Sequence, residues 1–282
     1  MIRRSYILAL TLILAVLIIL AAWYVFRPAG LQVTFFDIGQ GDASLIQTPS
    51  GQTILIDGGP DRTILKKLGA ALPWTTRTID LMILSHPHSD HVSGLIWVLE
   101  RYGVRRVLAS GVIHTTPEYL KWLEFIKAKN IPLTVAQAGQ QLKLSDDVTV
   151  EILWPPVTYL GQRVEDLNAS SIVNKVRYGS TSLLFTGDTP QVNEQAMLET
   201  GFDLKADILK VAHQGSRTSS SEQFIKAVAP NLAVIPVGRD NRYGHPHLEV
   251  VDRLNKLVSK VLRTDQTGDI KLVSDGHNWQ RL

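Results

Sequence analysis

Apolar and polar positions divide the chain into two unlike parts. From Ser5 to Phe26 the sequence SYILALTLILAVLIILAAWYVF carries no charge, proline or glycine. At 1.5 Å of rise per residue these 22 residues span a hydrocarbon core about 30 Å thick. A buried core helix keeps one polar stripe and this run has none, so a transmembrane helix is expected over residues 5–26. Arg3 and Arg4 precede it and only Arg27 follows closely, which places the N-terminus in the cytoplasm and the remainder outside by the positive-inside rule. The expectation is a single-pass cell-membrane protein with an extracytoplasmic main domain. The alternative, a cleaved signal, has a shorter apolar core of about 7–15 residues ending at an A-x-A-like site, and Ala21-Ala22-Trp23 matches that poorly.

After Arg27-Pro28-Ala29-Gly30 the pattern changes to short β-branched runs punctuated by Gly, Pro, Asn and Asp. These predict strands over residues 31–36, 43–48, 53–57, 79–85, 104–109, 148–154, 172–178, 182–186, 207–212, 232–237 and 269–273. Helical periodicity falls on residues 62–71, 92–102, 117–129, 191–199, 221–228 and 249–257. No solenoid-period repeat, low-complexity tract or second linker interrupts them. The expected organisation is an anchor and linker over residues 1–30 and one mixed α/β domain over residues 31–282.

Composition narrows the chemistry. With 282 residues, 45% hydrophobic and 20% charged, the chain can bury a full core, which excludes a disordered protein or a small disulfide scaffold. Lys and Arg number 29 against 26 Asp and Glu, a net charge of +3 that falls to +1 without Arg3 and Arg4 and predicts no particular partner. The pI near 9.0 is no evidence of a basic patch so close to neutrality. Cysteine is absent, so disulfides, thiolate metal sites and cysteine nucleophiles are excluded, and any transition metal must be held by His and carboxylate.

Three of eight histidines fall in one hexapeptide, His86-Pro87-His88-Ser89-Asp90-His91, between a predicted strand and a predicted helix. In extended chain His86 and His88 point to one side, and Pro87 keeps His86 out of the helical region. Two imidazoles can therefore share one ion. Asp90 and His91 stand where the chain turns into the helix and can serve a second ion nearby. A lone loop histidine is most often a surface residue; four ligand-type residues in six positions favour a metal site.

With Asp57 in TILIDGG, Asp188 in LLFTGD and His213 in ILKVAHQGS, this hexapeptide resembles the metallo-β-lactamase superfamily from about Leu31 almost to the C-terminus. More narrowly, FFDIGQGDASLI, LKVAHQGS and NRYGHPH are similar to the hydrolase domain of the ComEC/Rec2 competence DNA-uptake proteins. The resemblance implies a four-layer αββα sandwich behind the transmembrane helix, with His86 and His88 on one metal, Asp90, His91 and His213 on the other, and Asp188 between them. Asn168 stands where most of the superfamily has a third histidine, and its amide oxygen is a weaker ligand. Gln214 replaces a second consecutive histidine, whose role falls to His245 or is lost. Asp57 is expected to orient a ligand histidine. His245 is open between metal and substrate contact, and His247 between a helix start and chemistry.

Two divalent ions, Zn or Mn, would make hydroxide available from a bridging water near neutral pH, with Asp90 holding its orientation. Ser219-x-x-Glu222 reads as a capping box, and a helix start beside Ser216 and Arg217 as an anion site. Lys210, Arg239, Arg242 and Asn241 lie in neighbouring motifs, with Tyr243 the one aromatic there suited to base stacking. The expected function is a membrane-tethered phosphodiesterase or nuclease acting on single-stranded DNA or another phosphodiester, with a separate channel protein as a candidate partner. Two alternatives are a hydrolase of small envelope or environmental esters, lactones or β-lactams, and a catalytically silent binding module of the same fold.

Overall fold

The computed structural model describes residue 6, residues 10–18 and residues 30–282. Residues 10–18 are helical and exposed. Among the described residues no helix is long and apolar enough to cross a membrane. The expected transmembrane helix over residues 5–26 is therefore not seen, and with it the single-pass, extracytoplasmic placement is corrected. The remainder of that apolar run lies outside the described residues.

In chain order the strands are β1 (Leu31–Phe35), β2 (Ser44–Gln47), β3 (Thr53–Ile56), β4 (Thr78–Ile79), β5 (Leu81–Leu84), β6 (Gly103–Val104), β7 (Val107–Ala109), β8 (Leu133–Val135) and β9 (Gln141–Lys143). They continue as β10 (Thr149–Trp154), β11 (Val173–Tyr178), β12 (Thr181–Phe185), β13 (Ile208–Lys210), β14 (Leu232–Ile235), β15 (Lys260–Arg263), β16 (Ile270–Ser274) and β17 (Trp279–Arg281). The helices are α1 (Thr63–Ala71), α2 (Ser89–Arg101), α3 (Pro117–Ala128), α4 (Gln191–Leu198), α5 (Glu222–Val228), α6 (Leu248–Leu257) and α7 (Thr264–Thr267).

One sheet runs β17-β16-β1-β2-β3-β5-β7-β8 and the other β15-β14-β13-β12-β11-β10-β9, while β4 and β6 form a separate parallel pair. Because β16 pairs with β1, the last strands complete the sheet that the first one begins. Side-chain alternation sorts each strand between two cores. Ile54 and Ile56 of β3, Leu81 and Ile83 of β5, and Leu183 and Phe185 of β12 meet in a core between the sheets. Leu55, Met82 and Leu84 face outward onto α1, α2 and α3, through Leu68, Leu95 and Trp122. Leu184, Leu209 and Ile235 face α4, α5 and α6 through Met197, Phe224 and Leu254. The layers are thus helix, sheet, sheet, helix, and strands buried on both faces read as unbroken apolar runs.

All six expected helices are present. The second begins at Ser89 rather than near Val92, so Asp90 and His91 ride on the first turn of α2. That turn is set by close backbone packing. A Cβ on Gly94 would lie 1.8 Å from the carbonyl oxygen of Gly58, and the Gly58 N–H donates to the His91 carbonyl at 2.9 Å. Gly94→Ala would gain helix propensity of about 1 kcal/mol, but overpacking against rigid backbone costs about 1–3 kcal/mol or more. The variant is expected to melt several degrees below the parent and to displace His91, whose carbonyl accepts from Gly58. Thermal unfolding checks this, and an unchanged midpoint would show that the glycine contact is not needed.

Candidate metal centre

Most of the expected site residues come from loops at the carboxyl ends of β3, β5, β12, β13 and β14, the end at which open α/β sheets bind ligands, while Asn168 lies on the turn between β10 and β11 and Lys210 ends β13. Asp57 follows β3 in the left-handed region at φ 58°. His86 to His91 lead from β5 into α2, with His88 extended as the residue before the helix. Asp188 follows β12, and its N–H donates to Ser171 Oγ at 3.1 Å. His213 and Gln214 follow β13, both left-handed, at φ 50° and 54°.

The buried centre is built outward from Asp57. Its Oδ1 accepts from the Ser85 N–H at 2.8 Å, and its Oδ2 accepts from Ser85 Oγ at 2.7 Å and from His91 Nδ1 at 3.0 Å. With its proton spent on Asp57, the Ser85 hydroxyl can only accept from His86 Nδ1, at 3.0 Å. In both imidazoles Nδ1 is thereby assigned a hydrogen and Nε2 is the nitrogen turned to the centre. His86 Nε2 lies 2.9 Å from His88 Nδ1, an approach that needs a proton or a cation between two nitrogens.

Asp188 lies opposite. Its Oδ2 is 3.4 Å from His91 Nε2, 3.7 Å from His213 Nε2 and 3.9 Å from His86 Nε2. The ligand atoms of His86, His91 and Asp188, all buried, lie within 4.8 Å of one another. Asp90 Oδ2 stands 4.0 Å from His91 Nε2, and Asp90, His88 and His213 are half-buried, which leaves the centre one solvent-facing side. Burial alone would raise the Asp188 carboxyl, yet His91, His86 and His213 hold it well below the usual range. Burial would lower His91, but Asp188, Asp57 and Asp90 hold it well above. Burial, then the charge of His91, pushes His86 well down and His88 down.

This donor set fits divalent cations. His91 Nε2 and Asp188 Oδ1 are both buried without a hydrogen-bond partner. Asn168 Oδ1 is also buried and unpartnered, on the 3-10 turn Leu167–Ser170 just before Ser171, but forms no hydrogen bond with the imidazoles. His245 packs edge-on against His213 at 5.3 Å between ring centroids, and burial together with His213 pushes it down to about 4. It does not reach Asp188 by any hydrogen bond or ion pair among the described residues.

The outer residues divide differently from expectation. Lys210 is buried and spent on Asp42 and the Gly187 carbonyl, so it supports Asp188 from behind and is not free for a phosphate. The anion position at the start of α5 is already filled: the Glu194 carboxylate accepts from the N–H groups of Ser220 and Ser221. The side-chain cap is Ser221, accepting from the Phe224 N–H, rather than a Ser219 box. The buried Ser216 hydroxyl is paired with Thr218, whereas the Arg217 side chain is exposed, 3.8 Å from Glu249. His247 precedes α6, and its Nδ1 accepts from the Arg217 N–H. Asn241 donates to Gln214 Oε1 at 2.8 Å and Gln40 Oε1 at 3.1 Å, tying the loop after β14 to the His213 turn. Asp42 and Gln40 were not singled out by sequence, although both lie in the FFDIGQGDASLI run.

A carboxylate facing three imidazoles, held over a helix–sheet–sheet–helix sandwich, makes a candidate metal centre. The chain belongs to the metallo-β-lactamase superfamily, whose sequence model matches residues 36–239. It is 30% identical over 257 residues to ComE operon protein 3 of Bacillus subtilis, covering 85% of this chain and 32% of that protein. It is also 30% identical over 277 residues to Competence protein ComA of Neisseria gonorrhoeae, covering 94% of this chain and 36% of that protein. The chain thus spans about a third of the length of these relatives. Among solved structures, Igni18, a metallo hydrolase from Ignicoccus hospitalis, shares the fold with a TM-score of 0.53 and 16% identity, over 85% of this chain and 98% of that one.

Proposed function

We propose that the protein is a phosphodiesterase, a nuclease acting on DNA, that works with a pair of divalent cations, Zn or Mn. The observation that carries the metal chemistry is Asp188, one buried carboxylate oxygen turned to three imidazole nitrogens while the other has no hydrogen bond. His86 Nε2 and His88 Nδ1 would hold one cation, and Asp90, His91 Nε2 and His213 Nε2 the other, with Asp188 common to both and Asn168 beside the first. When bound, the cations supply a nucleophile from water near neutral pH and offset charge growing on the phosphoryl oxygens. The chain's own residues keep the centre ready for them. Asp57 and Ser85 fix the tautomers of His91 and His86, and Lys210 offsets part of the carboxylate charge behind Asp188. The resemblance of FFDIGQGDASLI, LKVAHQGS and NRYGHPH to the competence DNA-uptake proteins supports DNA as the substrate.

The test is hydrolysis by the full chain, with Mn or Zn, of labelled single-stranded DNA, bis(p-nitrophenyl) phosphate and nitrocefin. Metal-dependent cleavage of both phosphodiesters, lost on chelation, is expected. Nitrocefin cleavage with neither phosphodiester touched would assign the centre to small acyl substrates instead.

A further inference from the structure

The loop between β14 and α6 carries an exposed aromatic side chain that the metal chemistry does not use. Tyr243 is 55% exposed, on a loop that Asn241 ties down. Asn241 acts as a cross-brace beneath it: its Oδ1 accepts from the N–H groups of Tyr243 at 2.9 Å and His245 at 3.3 Å, while its Nδ2 holds Gln214 and Gln40. The Arg242 guanidinium lies 5.0 Å from the Tyr243 ring centroid and donates to the phenol oxygen at 2.9 Å. From Tyr243 the rings step inward, to His245 at 6.0 Å and from there to His213 at 5.3 Å. His213 in turn faces Asp188. An aromatic surface with a cation beside it therefore stands two ring contacts from the centre, on its solvent-facing side.

We infer that Tyr243 and Arg242 form a stacking platform for the nucleobase next to the scissile phosphodiester. The inference rests on the phosphodiesterase reading and names its substrate class, a strand with unpaired bases. Tyrosine and arginine planes recognise a base through its π-face, with the guanidinium adding a cation–π contribution. In a duplex both faces of a base are covered by its neighbours, so the platform selects single strands. Bracing by Asn241 lowers the cost of ordering the ring when the base arrives.

The test compares kcat/KM of the full chain, with Mn or Zn, on a single-stranded oligonucleotide and on the same strand carrying abasic residues, in the parent, Tyr243→Ala and Tyr243→Phe. Methyl p-nitrophenyl phosphate serves as a diester without a base. The parent is expected to favour the base-bearing strand by about 10- to 100-fold, the range of a single base stack. Tyr243→Ala abolishes this preference and Tyr243→Phe keeps most of it. Cleavage of the small diester with equal cleavage of both strands, or a preference that survives in Tyr243→Ala, overturns the platform and leaves the phosphodiesterase reading intact. A parent inactive on all three substrates removes that reading, and the platform with it.

Discussion

Asp188→Asn is expected to abolish hydrolysis and to strip most bound metal, the largest loss of any single substitution at the centre. The substitution keeps the size of the side chain and its backbone hydrogen bond to Ser171, and removes only the negative charge. That charge faces three imidazole nitrogens from one oxygen. Without it, two dications would lie among neutral rings and a single remaining carboxylate, Asp90. Asp57→Asn provides the graded comparison, because Asp57 reaches the centre only through His91 and Ser85. Removing such a supporting partner costs about 10- to 100-fold in metal affinity or activity, so Asp188→Asn should exceed that range and Asp57→Asn fall within it. Elemental analysis of purified protein and turnover of bis(p-nitrophenyl) phosphate measure both. Parent-like metal content and turnover in Asp188→Asn would show that the shared carboxylate is not a ligand.

What the sequence reveals of this fold follows burial. The four strands missing from the sequence reading, β8, β9, β15 and β17, are the four edges of the two main sheets. Each pairs on one side only and carries polar residues that blunt an open edge, as in the Lys260 to Arg263 strand and the Gln141-Leu142-Lys143 strand. Their apolar pattern is accordingly weak, whereas the doubly buried β3 and β5 are plain. The six longer helices are legible because each buries a stripe against a sheet. The apolar run near the N-terminus shows the limit of composition alone, since its length suggests a span that no described helix provides. The hexapeptide could be read because its residues are adjacent. The partner that fills the α5 anion position could not, because Glu194 reaches Ser220 and Ser221 across 26 and 27 residues and a helix start that reads as free is occupied by the protein itself. Asp42 and Lys210 are harder still. Each looks like an ordinary surface charge in its own motif, and only the sheet-to-sheet packing brings them together.

That pair sets the second large effect. Lys210 and Asp42 are 2% and 3% exposed, in contact with each other, and the ammonium also donates to the Gly187 carbonyl at 2.7 Å and lies 3.9 Å from Asp188 Oδ1. Burial would lower Lys210, but Asp42, Asp188 and Asp57 hold it above its ordinary value, so it remains a cation. Asp42 is pushed up to about 7 by burial, even with Lys210 pulling the other way. Lys210→Met therefore leaves a buried carboxyl with no counter-charge, and is expected to cost about 3–5 kcal/mol of stability. The loss has a pH signature. An acid whose folded pKa lies above its unfolded value contributes its full stability below the unfolded value and loses it as pH rises through the folded one. Without Lys210 the folded value of Asp42 rises further, so the deficit of Lys210→Met should widen from pH 6 to pH 9. Asp42→Asn combined with Lys210→Met replaces the ion pair by neutral groups, and the double variant should be more stable than the sum of the two single losses allows. Urea unfolding of the four proteins at both pH values measures this coupling. Additive losses would mean that the contact contributes nothing as a pair.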